Sequence, residues 1–179
     1  MARPQSLVEV AAVARANRSD FAMALDEFVD EFYLDHPDKA AQQVRLDPIP
    51  EPVGDPLADA WIGAVGEHLA LRWGLRTPDW TQRAVHFALE EPHFLPDARA
   101  LRGLIIVESP PAFRARLIFT RVEPLARARF PRDAPRAQVP LAWPPSAESA
   151  ESPRRARREI QIRPPLKWPE DPRPEKYPI

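Results

Sequence analysis

FAMALDEFVDEFY, residues 21 to 33, is the stretch on which the fold turns. Phe21, Leu25, Phe28, Val29, Phe32 and Tyr33 recur three and four residues apart, while Asp26, Glu27, Asp30 and Glu31 take the opposite side. That segregation at a period near 3.6 residues predicts an amphipathic helix with one buried face. Ser19 or Asp20 is expected to cap it and His36-Pro37 to end it. The apolar stripe reads as core. The acidic face reads as solvated surface, with docking of a basic partner as the alternative.

Working outward, SLVEVAAVARA (residues 6 to 16) opens on Ser6 with Glu9 three residues later, the pattern of a capping box before a short helix. Downstream, the prolines of Asp47-Pro48-Ile49-Pro50-Glu51-Pro52 force their predecessors out of the helical region, so residues 47 to 56 read as a linker. Leu57, Trp61, Ala64, Val65, His68, Leu69 and Trp73 then fall on one side of a helix that starts near Pro56 and stops at Gly74. A further helix is predicted from Trp80 to about Leu89, and another from Ala98 to Val107 with Arg99 and Arg102 outward. Leu104 to Val107 also fits a short buried strand, but no second strand of like quality is there to pair with it. Ser109-Pro110-Pro111 predicts a helix start with serine as cap, carrying Phe113, Leu117, Ile118 and Phe119 into Arg121. A short turn from Pro124 to Arg129 completes an all-α domain over residues 1 to 130, a bundle of five to seven helices.

From Pro131 to Ile179 the character changes, because twelve of the chain's 24 prolines crowd into that end with no hydrophobic period. Such a segment buries little apolar surface and lacks many backbone donors, so it is expected to form an extended or disordered arm. Trp143, Trp168 and Tyr177 stand in it as aromatic anchors, and Arg154, Arg155, Arg157 and Arg158 precede the apolar pair Ile160 and Ile162.

Composition narrows the chemistry. There is no cysteine among the 179 residues, which removes disulfides, thiol nucleophiles and cysteine-built zinc sites. The formal net charge is −1, yet residues 1 to 60 hold 5 basic against 12 acidic side chains, while 61 to 130 and 131 to 179 each hold 10 against 7. The chain is thus acidic in front and basic behind, without the concentrated patch of a dedicated DNA-binding domain. Met1 to Val10 lacks the marks of a secretory signal and no apolar run approaches a membrane span, so no membrane contact and a cytoplasmic location are expected.

No motif names a reaction. Glu67-His68 and the group His86, Glu90, Glu91 and His93 are superficially catalytic, but no two histidines lie one helical turn apart, and no metal or other cofactor is expected. His68 falls on an apolar helix side, where a core histidine is the commoner role. The five glycines are scattered, which leaves no phosphate loop. The richest cluster is ESPPAFRARLIFTR, where Arg114 and Arg121 sit seven apart and would share a helical face with Phe113 near them. Solvated surface, protein docking and phosphate binding all remain open for it.

Three blocks carry a resemblance: ALDEFVDEFY (24 to 33), AWIGAVGEHLALRWGLRTPDW (60 to 80) and ALRGLIIVESPPAFRARLIF (100 to 119). Together they resemble a family of small bacterial proteins encoded beside nucleotidyltransferase-like proteins and read as the antitoxin half of such pairs. Its signature positions here are the Glu67-His68 helix, the Pro78-Asp79-Trp80 turn and the block from Glu108 to Arg114. Family members end soon after the Phe119 helix, so the proline-rich arm is an addition. The resemblance implies a non-enzymatic protein that neutralises a toxin by contact. The arginine and aromatic cluster and the aromatic anchors of the arm make Phe113, Arg114, Arg121, Trp143 and Trp168 the expected contact residues. The alternative is a nucleic-acid-binding regulator that uses the arginine-rich half.

Overall fold

The computed structural model describes residues 3–134. Trp143, Trp168, Tyr177 and nearly all of the proline-rich arm lie outside the described residues. The described part is mostly helical, with six α-helices and two strands of two residues each. No helix among these residues is long and apolar enough to cross a membrane.

Helix α1 spans Leu7–Ala16 and buries Leu7, Val10, Ala11 and Ala14, the i, i+3, i+4, i+7 set of a helix with one inner face. The predicted capping box does not form, since Glu9 reaches the amide of Gln5, one residue before the cap, and not that of Ser6. The Ser6 side chain makes no cap bond, while Glu9 accepts the backbone N–H of Gln5 at 2.9 Å. Helix α2, Phe21–Leu34, buries all six predicted apolar positions together with Ala24. Asp20 takes the cap position as predicted but makes no side-chain cap bond. A 3-10 turn at Arg18–Asp20 precedes the helix, and Asn17 Oδ1 accepts the Ser19 N–H at 3.2 Å. Part of its acidic face is used internally: Arg127 bridges Asp26 at 2.6 Å and Asp30 at 3.2 Å, and Glu31 holds Arg3 at 3.0 Å.

Helix α3, Lys39–Leu46, was not anticipated. Its signal is Asp38, whose Oδ1 accepts the amides of Ala40 at 2.9 Å and Ala41 at 3.1 Å. The segment after it is tied down at its far end. Asp59 accepts the N–H groups of Val53 at 2.8 Å and Gly54 at 3.1 Å, and Asp55 both caps α4 through Ala58 and pairs with Arg18.

Helix α4, Pro56–Trp73, is the axle of the fold and is buried on nearly all sides, not only along the predicted stripe. Ala58, Ala60, Ile62, Ala64, Val65, Leu69 and Ala70 all lie in the core. Two glycines let neighbours approach: a Cβ on Gly63 would sit 2.6 Å from His86 Cβ, and one on Gly66 would sit 2.7 Å from the Trp80 ring. Gly74 ends the helix in the left-handed region at φ 61°, where glycine carries no Cβ penalty.

Beyond α4 the predictions diverge. The helix expected from Trp80 to Leu89 is two separate 3-10 turns, Asp79–Gln82 and Ala84–Phe87. They press Trp80 and His86 against the glycine side of α4, and that close tertiary contact overrides a regular helix. Residues 98 to 107 do become helical, as a 3-10 turn at Arg99–Leu101 followed by α5, Arg102–Glu108. The helix predicted to run from Pro111 into Arg121 does not exist: α6 is the single turn Pro111–Arg114. Leu117 then takes a left-handed backbone at φ 57°, and Ile118–Phe119 forms strand β2. β2 pairs in parallel with β1, His93–Phe94, with His93 opposite Ile118 and Phe94 opposite Phe119. Phe94 stacks on Phe119 with ring centres 5.0 Å apart. Ser109 does not cap α6. Its hydroxyl donates to the Ile105 carbonyl at 2.6 Å and accepts the Thr120 N–H at 2.7 Å, tying the end of α5 to the residue after β2.

Candidate functional site

The arginines of residues 114 to 121 part company. Arg116 is 1% exposed, at the centre of a polar knot beneath α4. Its guanidinium meets the Glu67 carboxylate at 2.7 Å and donates to the carbonyls of Ala112 at 2.7 Å and Thr81 at 2.6 Å. Phe87 lays its ring over the charge at 4.3 Å, and Gln82 donates to Glu67 at 3.0 Å. Burial pushes the Arg116 pKa down and the Glu67 carboxylate counters it. One donor, Arg116 Nε, has no partner; it faces Gly63, where a Cβ would sit 2.9 Å away. This arginine belongs to neither the solvated nor the docking surface that the cluster suggests.

Phe113 also withdraws from the expected contact set. It is fully buried, edge-on to Trp61 at 5.2 Å and His68 at 5.4 Å. Arg114 is half-buried and Arg121 exposed, and neither makes an ion pair among the described residues. With α6 stopping at Arg114, the seven-residue interval does not put the two on one helical face. Arg83 and Arg99 likewise contact no carboxylate among the described residues. Elsewhere guanidiniums pair: Arg45 with Asp35, Arg72 with Glu123 at 2.7 Å, Arg102 with Asp97 at 2.8 Å.

Three of the superficially catalytic groups, Glu67, His68 and His86, have structural employment, while Glu90 and Glu91 are exposed and His93 lies in β1. Glu67 is taken by Arg116 and Gln82. His68 is buried, and burial with the nearby Arg72 charge lowers its pKa to about 4, so it is neutral at pH 7. His86 donates from Nδ1 to the Asp59 carbonyl at 2.8 Å and lies edge-on to Trp80, and burial lowers its pKa too. Among the described residues no three His, Asp or Glu side chains gather as a metal-ligand set.

An open cleft of about 700 Å³ lies between the start of α1 and α3, lined in part by Gln5, Glu9, Asp35, Asp38, Val44 and Arg45. Its carboxylates are already engaged by the Gln5 amide, the Arg45 guanidinium and the first amides of α3. A surface that sequence reasoning missed lies on α5. Ile105 alone is buried there, while Leu104, Ile106 and Val107, with Leu101 just before them, stand in solvent. The available signal was apolar residues on every side of a short helix that has no comparably apolar partner.

Compared with known protein families, with curated proteins and with solved structures, the chain matches none.

Proposed function

We propose that the chain is a non-enzymatic, protein-binding module: the antitoxin-like partner that neutralises a nucleotidyltransferase-type toxin by direct contact, both proteins being cytoplasmic. The observation that carries this reading is the contrast within one segment, where Arg116 is consumed by the core while Arg114 and Arg121 keep their guanidiniums clear of every carboxylate among the described residues. Arginine is among the residues that most often dominate interface energetics, because its planar fork grips a carboxylate bidentately. A partner face bearing carboxylates would complete both forks. Phe113, being core, supports the turn that presents Arg114 and makes no contact itself. Trp143 and Trp168 remain the proposed anchors from the arm.

Co-purification with the product of the adjacent gene tests the reading. Arg114→Glu with Arg121→Glu should weaken that complex by about a hundredfold, from the loss of two charged contacts. Separate elution of the native pair, or undiminished affinity of the double variant, would end it. Arg83 and Arg99, which pair with no carboxylate among the described residues, favour one second reading, a nucleic-acid-binding regulator. Affinity for nucleic acid would then fall steeply with salt, whereas no binding at low salt removes that alternative.

A further inference from the structure

We infer that the cleft between α1 and α3 is a docking groove for this chain's own arm, taken up by residues 135 to 141 with Arg136 and Val139 as the contacts. This goes beyond the toxin-binding reading, since it concerns a contact within one chain and uses none of Arg114, Arg121, Trp143 and Trp168. The last described residues set the direction. Arg127 Nε donates to Asp30 at 3.2 Å, Phe130 lies edge-on to Tyr33 at 5.3 Å, and the Asp133 carboxylate meets His36 Nε2 at 3.1 Å. Each of these pairs is 97 residues apart, so the segment advances along α2 three residues for three, toward the C-terminal end of that helix. The described residues therefore end, at Ala134, beside the turn from Asp35 to Asp38, and both of those aspartates line the cleft.

The groove opens along one flank of α3, where Val44 is 69% exposed beside Ala40, Ala41 and Pro48. Its charge is one-sided, because Glu9, Asp35 and Asp38 share a single guanidinium, that of Arg45. Arg45 is held above its ordinary pKa, first by its hydrogen bond to Asp35 and then, against the opposing effect of burial, by the charges of Asp35, Glu31 and Glu9. Glu9 and Asp38 make no ion pair among the described residues. Arg136 is the first charged residue after Asp133, and one more three-residue step brings it level with Asp38 and Lys39 at the start of α3. Lys39 is turned aside to the Gly74 carbonyl at 3.5 Å, which leaves Asp38 to receive the guanidinium. Spacing then selects the second contact. Val44 lies about 9 Å along α3 from Asp38, and Val139 lies about 9 Å from Arg136 and on the same side in a polyproline turn. Pro135 and Pro140 favour that conformation and bring no backbone donor that needs a partner. The arm's first guanidinium thus meets the acidic end of the groove while Val139 covers Val44.

Because the chain has no cysteine, introduced pairs report this contact cleanly in the full chain. Val44→Cys with Val139→Cys should close an intrachain disulfide about tenfold faster than Leu71→Cys with Val139→Cys, which probes a comparably exposed position on α4, 57% against 69%. Adding Arg136→Glu should slow the first pair to the rate of the second and leave the second unchanged. Amide exchange gives a readout without cysteines: residues 136 to 139 should exchange more slowly in the parent than in Arg136→Glu. Equal rates for the two pairs overturn the inference. So do a first pair indifferent to Arg136→Glu, a disulfide that forms only between two chains, or unprotected exchange of residues 136 to 139 in the parent. Because Arg114 and Arg121 are untouched, toxin binding by these variants reports separately on the proposed function.

Discussion

Removing the Arg116 side chain is the sharpest probe of how this domain is held together. In Arg116→Ala the Ala112 and Thr81 carbonyls lose donors at 2.7 and 2.6 Å, and Glu67 loses its cation at 2.7 Å. Breaking a buried ion pair costs about 3–5 kcal/mol, because the remaining charge is stranded. Here the lower part of that range applies, since the Glu67 side chain is 19% exposed and keeps the Gln82 amide at 3.0 Å. Loss of the cation over Phe87 adds about 0.5–1 kcal/mol, and removing the orphaned Nε returns about as much. The expected loss is about 3–4 kcal/mol, a large share of the roughly 5–15 kcal/mol that such a domain possesses. Urea unfolding followed by tryptophan fluorescence reads it as a lower midpoint at unchanged slope. Arg114→Ala and Arg121→Ala, two and five residues away, should each stay within about 0.5 kcal/mol of the parent. A loss below about 1 kcal/mol for Arg116→Ala, or an equal loss for Arg114→Ala, would refute the reasoning.

The remaining predictions follow from the same packing. His68 is held neutral with its pKa lowered from 6.5 to about 4, so the unfolded chain takes up its proton first as pH falls. The stability this group contributes is whole above pH 6.5 and is lost between there and about pH 4, by up to about 3 kcal/mol. His68→Gln should flatten that part of the stability-versus-pH curve, and an unchanged slope would count against burial as the cause. Asp59→Ala leaves the Val53 and Gly54 amides without an acceptor and should cost about 2 kcal/mol, seen as faster proteolysis between residues 47 and 56. Gly66→Ala should cost about 1–3 kcal/mol by driving a methyl into Trp80, with a matching change in tryptophan emission; a neutral result would mean that the ring moves freely.

What could be read from residues alone was local. The alternation from Phe21 to Tyr33, the Pro56 start and the Gly74 stop of α4 are properties of a few consecutive turns, and the structure reproduces those helices within a residue or two. The mostly helical class follows from them. What could not be read depends on partners far along the chain. Arg114 and Arg116 are chemically identical and two residues apart, yet only the second is met by Glu67, Thr81 and Phe87 and drawn inside. The stretch after Pro111 has the composition of a helix, but Leu117 turns it aside because β1, lying before α5, offers backbone partners for Ile118 and Phe119. Likewise residues 98 to 107 predicted an apolar helix with Arg99 and Arg102 outward, and α5 leaves Leu104, Ile106 and Val107 exposed because nothing among the described residues packs on them. Periodicity tells which residues share a face; what that face meets is set by contacts between distant segments, which no local pattern encodes.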